Sequence, residues 1–273
     1  MPGLLLRAAL NRKPAELGEV PRITARLEQL RIDRQKLARY NSVCGFDPDS
    51  EYLPATYPHI AAFSLHMEML LNDSFPFAPM GIVHTANRIS QLRPIHRGEQ
   101  LALDCSIADS RATDIGLEVD IFTEAKAGAE TVWTELTTVL KRGKPKPGKR
   151  ARNRPELPDY AERESWSLPA NLGRRYARVS GDYNPIHLFP ASAKLLGFNR
   201  HIAHGMWSKA RCLAALQGRL DSQRFTIDVE FKTPLYLPAD VALHFQESES
   251  GLDFSLRNAP GNRPHLNGSL TRD

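Results

Sequence analysis

Asp182 and His187 stand five residues apart, with Tyr183, Asn184, Pro185 and Ile186 between them. Proline disfavours the α region for the residue before it, so Asn184-Pro185 forces a turn and lets two titratable side chains converge. A carboxylate and an imidazole sharing one water make an acid/base couple that moves protons near neutral pH. The same residue types also build ordinary turns, so the pair alone leaves both readings open. His204-Gly205-Met206 follows at the start of an expected helix, where free backbone N–H groups and the positive end of the dipole face outward. A glycine there admits a carbonyl oxygen close to the backbone, and such a helix tip can hold a developing oxyanion.

Other residues offer less. His201 and His204 have metal-pair spacing, but no third ligand follows at a sensible distance. Ser180 lies beside Gly181 without a GxSxG elbow and reads as a turn residue rather than a nucleophile. Met206 and Trp207 suit a core better than a substrate contact, and Arg174 and Arg175 either meet phosphates or are solvated. His59, His66, His84 and His96 show no convergent partners and read as structural or exposed. Cys44, Cys105 and Cys212 are widely separated, without a CxxC, and read as reduced thiols or core fillers.

The elements that must position these residues come as a repeat. Tyr40-Asn41-Ser42-Val43-Cys44-Gly45 matches Tyr176-Ala177-Arg178-Val179-Ser180-Gly181 at an offset of 136. His59 to Ser64 matches His201 to Met206 at 142, and Arg93-Pro94-Ile95 matches Thr233-Pro234-Leu235 at 140. Ordered matches at a nearly constant offset predict two copies of one unit. In the second copy Met206, Ala210, Leu213, Ala214 and Leu220 lie near helical spacing; in the first, Leu65, Met69 and Leu70 do. This predicts one mostly buried helix per copy. Alternation follows at Leu101–Ile107, Ile115–Ile121 and Val132–Leu140, and again at Phe225–Phe231, Val241–Phe245 and Leu252–Leu256. Each unit is therefore α+β, a curved antiparallel sheet wrapped around one apolar helix. On these matches Phe46 falls opposite Asp182 and Glu51 opposite His187, while Ala62 and Phe63 fall opposite His204 and Gly205. The first copy thus lacks the chemical residues, and Phe63 is expected to block its helix tip.

Composition supports a globular enzyme-sized chain. The 273 residues are 41% hydrophobic and 25% charged, which excludes disorder, and the three cysteines exclude a disulfide scaffold. No stretch approaches the roughly 20 apolar residues of a membrane span, and Met1-Pro2-Gly3-Leu4-Leu5-Leu6-Arg7 breaks before a signal-peptide core, so a cytoplasmic location and no membrane partner are expected. Eight basic residues and no acidic one lie in KRGKPKPGKRARNR, Lys141 to Arg154, leaving −3 elsewhere against a whole-chain net of +5. The prolines and glycines there predict a linker, with domains at 1–140 and 155–273 around 141–154. That run is either a charged spacer or a means of attracting a phosphate-bearing or acidic partner. Without interleaved aromatics it does not suit single-stranded nucleic acid, and no nucleic-acid partner is expected.

Tyr-x-x-x-Ser-Gly-Asp-x-Asn-Pro-Ile-His, followed by Gly-Phe and Ala-His-Gly-Met, resembles the signature of the MaoC-like (R)-specific enoyl-CoA hydratase family, the hydratase 2 group with the hot-dog fold. Phe231-Lys232-Thr233-Pro234-Leu235 is similar to the strand entry that follows, and FPFAPMGIVHTANRI is similar to the additional unit of two-domain members. The resemblance implies a double hot-dog of two curved sheets, the first half accommodating the acyl chain. It implies reversible hydration of trans-2-enoyl thioesters to (3R)-3-hydroxyacyl thioesters, with no metal or redox cofactor, on an acyl-CoA or acyl carrier protein substrate. It places the catalytic pair on Asp182 and His187, an orienting residue on Asn184 and the oxyanion contact on Gly205, with Tyr176, Ser180, His204 and Met206 toward the substrate. Asn199-Arg200-His201 departs from the basic residue and proline of many members, which concerns the pocket rim. A homodimer is compatible with the fold's edge strands. A non-catalytic thioester-binding module and a hot-dog thioesterase are the alternatives, because fold alone does not establish activity.

Overall fold

Two glycines with positive φ mark the duplicated frame. In a computed structural model describing residues 19–79, 81–143 and 157–272, Gly45 (φ 86°) ends helix α1 (Arg34–Cys44) and Gly181 (φ 82°) ends its counterpart α3 (Leu172–Ser180). Each donates its N–H four residues back, to Asn41 and Ala177, which closes the last turn as only a residue free to enter the left-handed region does cheaply. Asp33 opens α1, its carboxylate accepting from the backbone of Gln35 and Lys36 at 2.8 and 3.0 Å.

The first half runs β1 (Thr24–Leu30), α1, α2 (Tyr57–Leu70), β2 (Ile82–Gln91), β3 (Leu101–Thr113), β4 (Gly116–Ala127) and β5 (Glu130–Arg142). The second runs β6 (Glu162–Leu168), α3, a single 3-10 turn at Pro185–His187, the short α4 (Pro190–Leu195), α5 (Gly205–Leu216), β7 (Phe225–Phe231), β8 (Ala239–Ser248), β9 (Gly251–Asn258) and β10 (Pro264–Arg272). Strand order is β1-β3-β4-β5-β2-β7-β10-β9-β8-β6, so each half repeats one order and the two meet at β2 and β7. These pair antiparallel from Ala86↔Glu230 to Gln91↔Phe225, joining the two expected sheets edge to edge into one of ten strands. The interior edges are thereby paired rather than exposed.

The long helices are apolar nearly all round. Tyr57, Ile60, Ala62, Leu65, Met69 and Leu70 of α2, and Met206, Trp207, Ala210, Cys212, Leu213 and Leu216 of α5, are buried in one core. A helix with so little polar surface must be wrapped by its sheet. The halves are also stitched by helix contacts: Trp207 Nε1 donates to Val43 O at 3.0 Å, and the rings of Tyr40 and Tyr176 lie 6.1 Å apart.

Alternation finds three strands in each half; the structure has five, adding β1 and β2, and β6 and β10. It also adds α1 and α3, since each copy carries two helices at equivalent places rather than one. Helix α5 ends at Leu216, and Leu220 follows a separate 3-10 turn at Gln217–Arg219. The three cysteines are free and buried. Strand β5 ends at Arg142, and most of the basic run, residues 144–154, lies outside the described residues, as does the start Met1 to Arg7. No helix among the described residues is long and apolar enough to cross a membrane.

Candidate active site

The αL cap at Gly181 reverses the chain so that Asp182 leaves α3 directly into a tight turn. Local hydrogen bonds hold it: Asp182 N donates to Ser180 Oγ at 3.2 Å, Asn184 N to Asp182 Oδ1 at 3.0 Å, and Ile186 N to Asn184 Oδ1 at 3.3 Å. Asn184 thus starts the 3-10 turn with its side chain, as an Asx residue before proline does. His187 closes that turn and is itself buried. Its Nδ1 faces Ile202 O at 2.9 Å; a carbonyl only accepts, so Nδ1 carries the proton and Nε2 is left as the base.

Helix α3 makes room for this turn. A Cβ at Gly173 would sit 2.1 Å from His187 O, far inside contact distance, so the His187 backbone rests where only glycine leaves space. Arg174 secures the next residues: Nη1 donates to Leu188 O at 2.7 Å while the guanidinium lies 4.9 Å over the Phe189 ring.

His204, the residue before α5, completes the cluster. Its ring stacks on His187 with centroids 3.7 Å apart and packs against Tyr176 at 4.8 Å. Its Nε2 donates to Asp182 O at 3.0 Å and lies 3.8 Å from Asp182 Oδ2, while its buried Nδ1 has no partner. Burial, then the neighbouring His187, pushes the His204 imidazole down to about 3. Burial also lowers His187, against the opposing effects of Asp182 and the Ile202 carbonyl. Both imidazoles are therefore neutral near pH 7, and His187 is available as a proton acceptor. Asp182 is 24% exposed and gives the cluster its opening to solvent.

Gly205 begins α5, with the unsatisfied first-turn N–H groups common to helix starts. A Cβ there would meet the Phe231 ring at 2.9 Å, so glycine lets β7 close over the tip. One ligand atom from each of Asp182, His187 and His204 falls within 4.8 Å of the others, as do those of His59, His66 and Glu135. Either donor set could chemically serve a cation. The Asp182 group also supplies what proton transfer needs: a carboxylate, a neutral base with a fixed tautomer, and a helix end for an oxyanion.

Asp182, Asn184, His187, His204 and Gly205 come together as a group. Tyr176, Ser180 and Met206 stand behind them, at 2%, 5% and 6% exposure: Tyr176 backs His204, Ser180 holds the Asp182 backbone and Met206 lies in the core. His201 turns away, its Nε2 donating to Ala170 O at 2.6 Å, so it makes no pair with His204. The match of Phe63 to Gly205 is corrected: α2 begins at Tyr57 after Thr56, so Thr56 and Tyr57 occupy the places of His204 and Gly205, and Phe63 lies well inside the helix. The tyrosines agree, since Tyr40 donates to Thr56 Oγ1 at 2.8 Å where Tyr176 packs on His204. Glu51 is no counterpart of His187 either. Gly45 to Thr56 takes eleven steps and Gly181 to His204 twenty-three, so the first half lacks the segment that carries His187. The reading of His59, His66 and His84 as without convergent partners is overturned as well: His59 and His66 are buried around Glu135, whose partners lie 48 or more residues away in sequence, and the half-buried His84 stacks on His59 at 6.1 Å. His96 sits in an exposed turn and accepts from Gly98 N at 3.1 Å. Gly173 and the Ile202 carbonyl escape sequence reading, because only the folded turn shows what they touch; Arg174, read as meeting phosphates or solvent, instead holds Leu188 and Phe189, and Phe231, read only as part of a strand entry, lies against Gly205.

Comparison with known proteins gives a consistent picture. Residues 158–258 match the MaoC like domain family. The chain is 37% identical over 275 residues to 3-hydroxyacyl-thioester dehydratase X of Mycobacterium tuberculosis, covering 97% of this chain and 96% of that one. The crystal structure of HtdX from the same organism superposes with a TM-score of 0.79 at 34% identity, over 91% of this chain and 99% of that chain. A MaoC-like dehydratase from Phytophthora capsici shares the fold with a TM-score of 0.73 at 20% identity, over 93% and 96% of the two chains.

Proposed function

The chain belongs to the MaoC-like dehydratase family, and from that premise we propose that it is a thioester dehydratase, interconverting trans-2-enoyl and (3R)-3-hydroxyacyl thioesters at one site in its second half. The observation that carries the reading is the meeting of Asp182 and neutral His187 beside the α5 tip at Gly205. The substrate is carried on coenzyme A or on an acyl carrier protein, and its acyl chain extends toward the first half.

In the hydration direction the Gly205 N–H donates to the thioester oxygen, drawing electron density from C3. Asp182 and His187 hold one water between them. As its oxygen bonds to C3, His187 Nε2 takes a proton, and negative charge builds on the thioester oxygen at the helix tip. The couple then returns one proton to C2 from the same face, so addition is syn. Dehydration retraces these steps: C2 loses a proton, the C3 hydroxyl is protonated and water leaves. No electrons are exchanged, so no redox cofactor is called for, and the residues in place move the proton without a metal. A single oxyanion donor is worth roughly 3 to 4 kcal/mol of barrier, and acid/base assistance about 10²–10⁴-fold. These contributions suit an alkene activated by a thioester.

The test is Asp182→Asn and His187→Asn, each assayed with crotonyl and octenoyl thioesters by loss of the conjugated enoyl absorbance, with free thiol followed in parallel. Hydration should fall by about 10²–10⁴-fold in each variant. Activity within a few fold of wild type in either, or thiol release without loss of the alkene by another route, contradicts the assignment; the latter would indicate a thioesterase.

A further inference from the structure

The first half holds a buried polar network that the proposed reaction does not use. Glu135 on β5 is 1% exposed; its Oε1 accepts from His59 Nδ1 and from Asn87 Nδ2, both at 2.7 Å, and its Oε2 is buried without a partner. Asn87 Nδ2 also reaches Thr137 Oγ1 at 3.0 Å. On its other side Asn87 accepts from Lys209 Nζ, at Oδ1 (2.5 Å) and at its backbone O (2.8 Å), and Ile227 O accepts from the same Nζ at 3.0 Å. Lys209 is completely buried, and its three ammonium N–H groups meet three acceptors. Those acceptors belong to β2 and β7, the two strands that join the halves.

Lys209 also lies on α5, four residues after Gly205, which is about 6 Å along the helix axis. The helix that presents its tip to the proposed thioester is thus pinned to the seam one turn behind that tip.

The fold does not demand this arrangement. Ile89 and Val229 correspond through the matched Pro94 and Pro234; their sheet partners are Glu135 and Gly268, and the next partners are Thr123 and Phe254. The second half fills the place of Glu135 with the Phe254 ring, only 2.7 Å from where a Gly268 Cβ would stand. By the helix starts, Ala61 takes the place of Lys209 in the first half. At this place apolar packing serves the second half, whereas the first buries a carboxylate that reaches α5 through Asn87. Taking an ammonium and a carboxylate out of water is costly unless both are hydrogen-bonded, and their retention favours placement over bulk stability.

We propose that Lys209 is a positioning residue: its buried ammonium, gripped by Asn87 and Ile227 and balanced by Glu135, sets where the α5 tip holds the Gly205 N–H. This rests on the reading of that tip as the thioester-binding end. Glu135 from β5 and Asp228 from β7 act on the ammonium, which in turn acts on His84 from β2, while His59 and His66 from α2 act on Glu135. Burial brings Lys209 down to about 7, with Glu135 and Asp228 acting upward; burial lowers His84 to about 3 and His66 to about 4, so those two are neutral where Lys209 titrates. Above neutral pH the amine keeps two N–H groups for three acceptors, and the grip on the seam loosens.

The experiment follows kcat and KM for enoyl thioester hydration by the full chain from neutral to alkaline pH, with Asp182→Asn as the inactive control. Wild-type kcat should decline above about pH 7 while KM holds. Lys209→Met should lower kcat roughly tenfold to a hundredfold, leave KM within about twofold and remove the alkaline decline. Glu135→Gln, which takes away the balancing charge but keeps the shape, should shift the decline to lower pH and decides the matter if Lys209→Met does not fold. A decline at an unchanged pH in Glu135→Gln, or an unchanged kcat in Lys209→Met, overturns the proposal. A wild type that hydrates no enoyl thioester overturns the reading of the site instead, and the two failures are told apart by that one measurement.

Discussion

Leu37 and Gly173 stand at the same place in the paired helices α1 and α3, and the two halves diverge there. Leu37 is buried and fills the face of its helix, because only a short connection runs from Gly45 to Thr56. Gly173 leaves that face bare, and the His187 backbone lies against it. The second half therefore needed an inserted segment as well as a place to lay it. Phe46 extends the contrast: where Asp182 meets solvent, Phe46 is buried and its ring lies 6.4 Å from that of Tyr40, in parallel planes. Titratable groups are not missing from the first half, but they sit elsewhere, beneath the sheet at Glu135 rather than at a helix tip. One frame thus carries a carboxylate at an opening in one copy, Asp182, and inside the core in the other, Glu135.

Writing the first half's bulk into the second breaks the comparison most sharply. Gly173→Ala sets a methyl against the His187 carbonyl, and the turn must move by more than an ångström; kcat should fall by about a hundredfold, while thioester binding, read as KM, changes far less. An unchanged kcat would mean that the position of His187 is not critical.

The next effect is one of pH. Because burial holds His187 below its ordinary 6.5, the imidazole stays neutral as the medium becomes mildly acidic. The acid limb of kcat/KM should lie below pH 6.5, and a limb above that value would show an imidazole stabilised in its charged form.

The first half has its own acid response. Burial alone would raise the Glu135 carboxyl, but attraction and hydrogen bonding from His59, with His66 and Asn87 adding to it, bring it down to about 2. A carboxyl lowered on folding contributes stability that is present above pH 4.5 and lost as pH falls toward 2. Thermal unfolding midpoints of wild type should drop through that window, and Glu135→Leu should flatten the drop.

The smallest expected effect is none. Phe46→Asp in an Asp182→Asn background should restore no hydration, since no counterpart of His187 faces residue 46. Measurable recovery would show that the first half retains a second reaction centre.

Much of this frame is written locally in the chain. The glycine caps, the turn at Asn184-Pro185 and the start of α5 at Gly205 depend on near neighbours, so spacing alone reveals them. The match of His59 to His201 shows where local similarity misleads: it is six residues out of register with the helix starts, because the insertion before α5 has no trace in the shorter half. Strands β1, β2, β6 and β10 lack clean alternation, since several of their residues are partly buried on both faces or exposed on both. The network of Glu135, Asn87 and Lys209 joins residues as far as 122 apart, and no motif encodes such a meeting. The contact of Gly173 with His187 is hidden for another reason: a glycine in a helix gives no sign of what passes over it.

The account stands most directly on hydrating an enoyl thioester in deuterium oxide and following C2 and C3 of the product by NMR. The second-half couple predicts one deuterium at C2, delivered to the face that receives the hydroxyl, with the (3R) configuration at C3, and loss of both signals together in Asp182→Asn. Deuterium on the opposite face, or a free acid and thiol in place of the hydroxyacyl thioester, would contradict it.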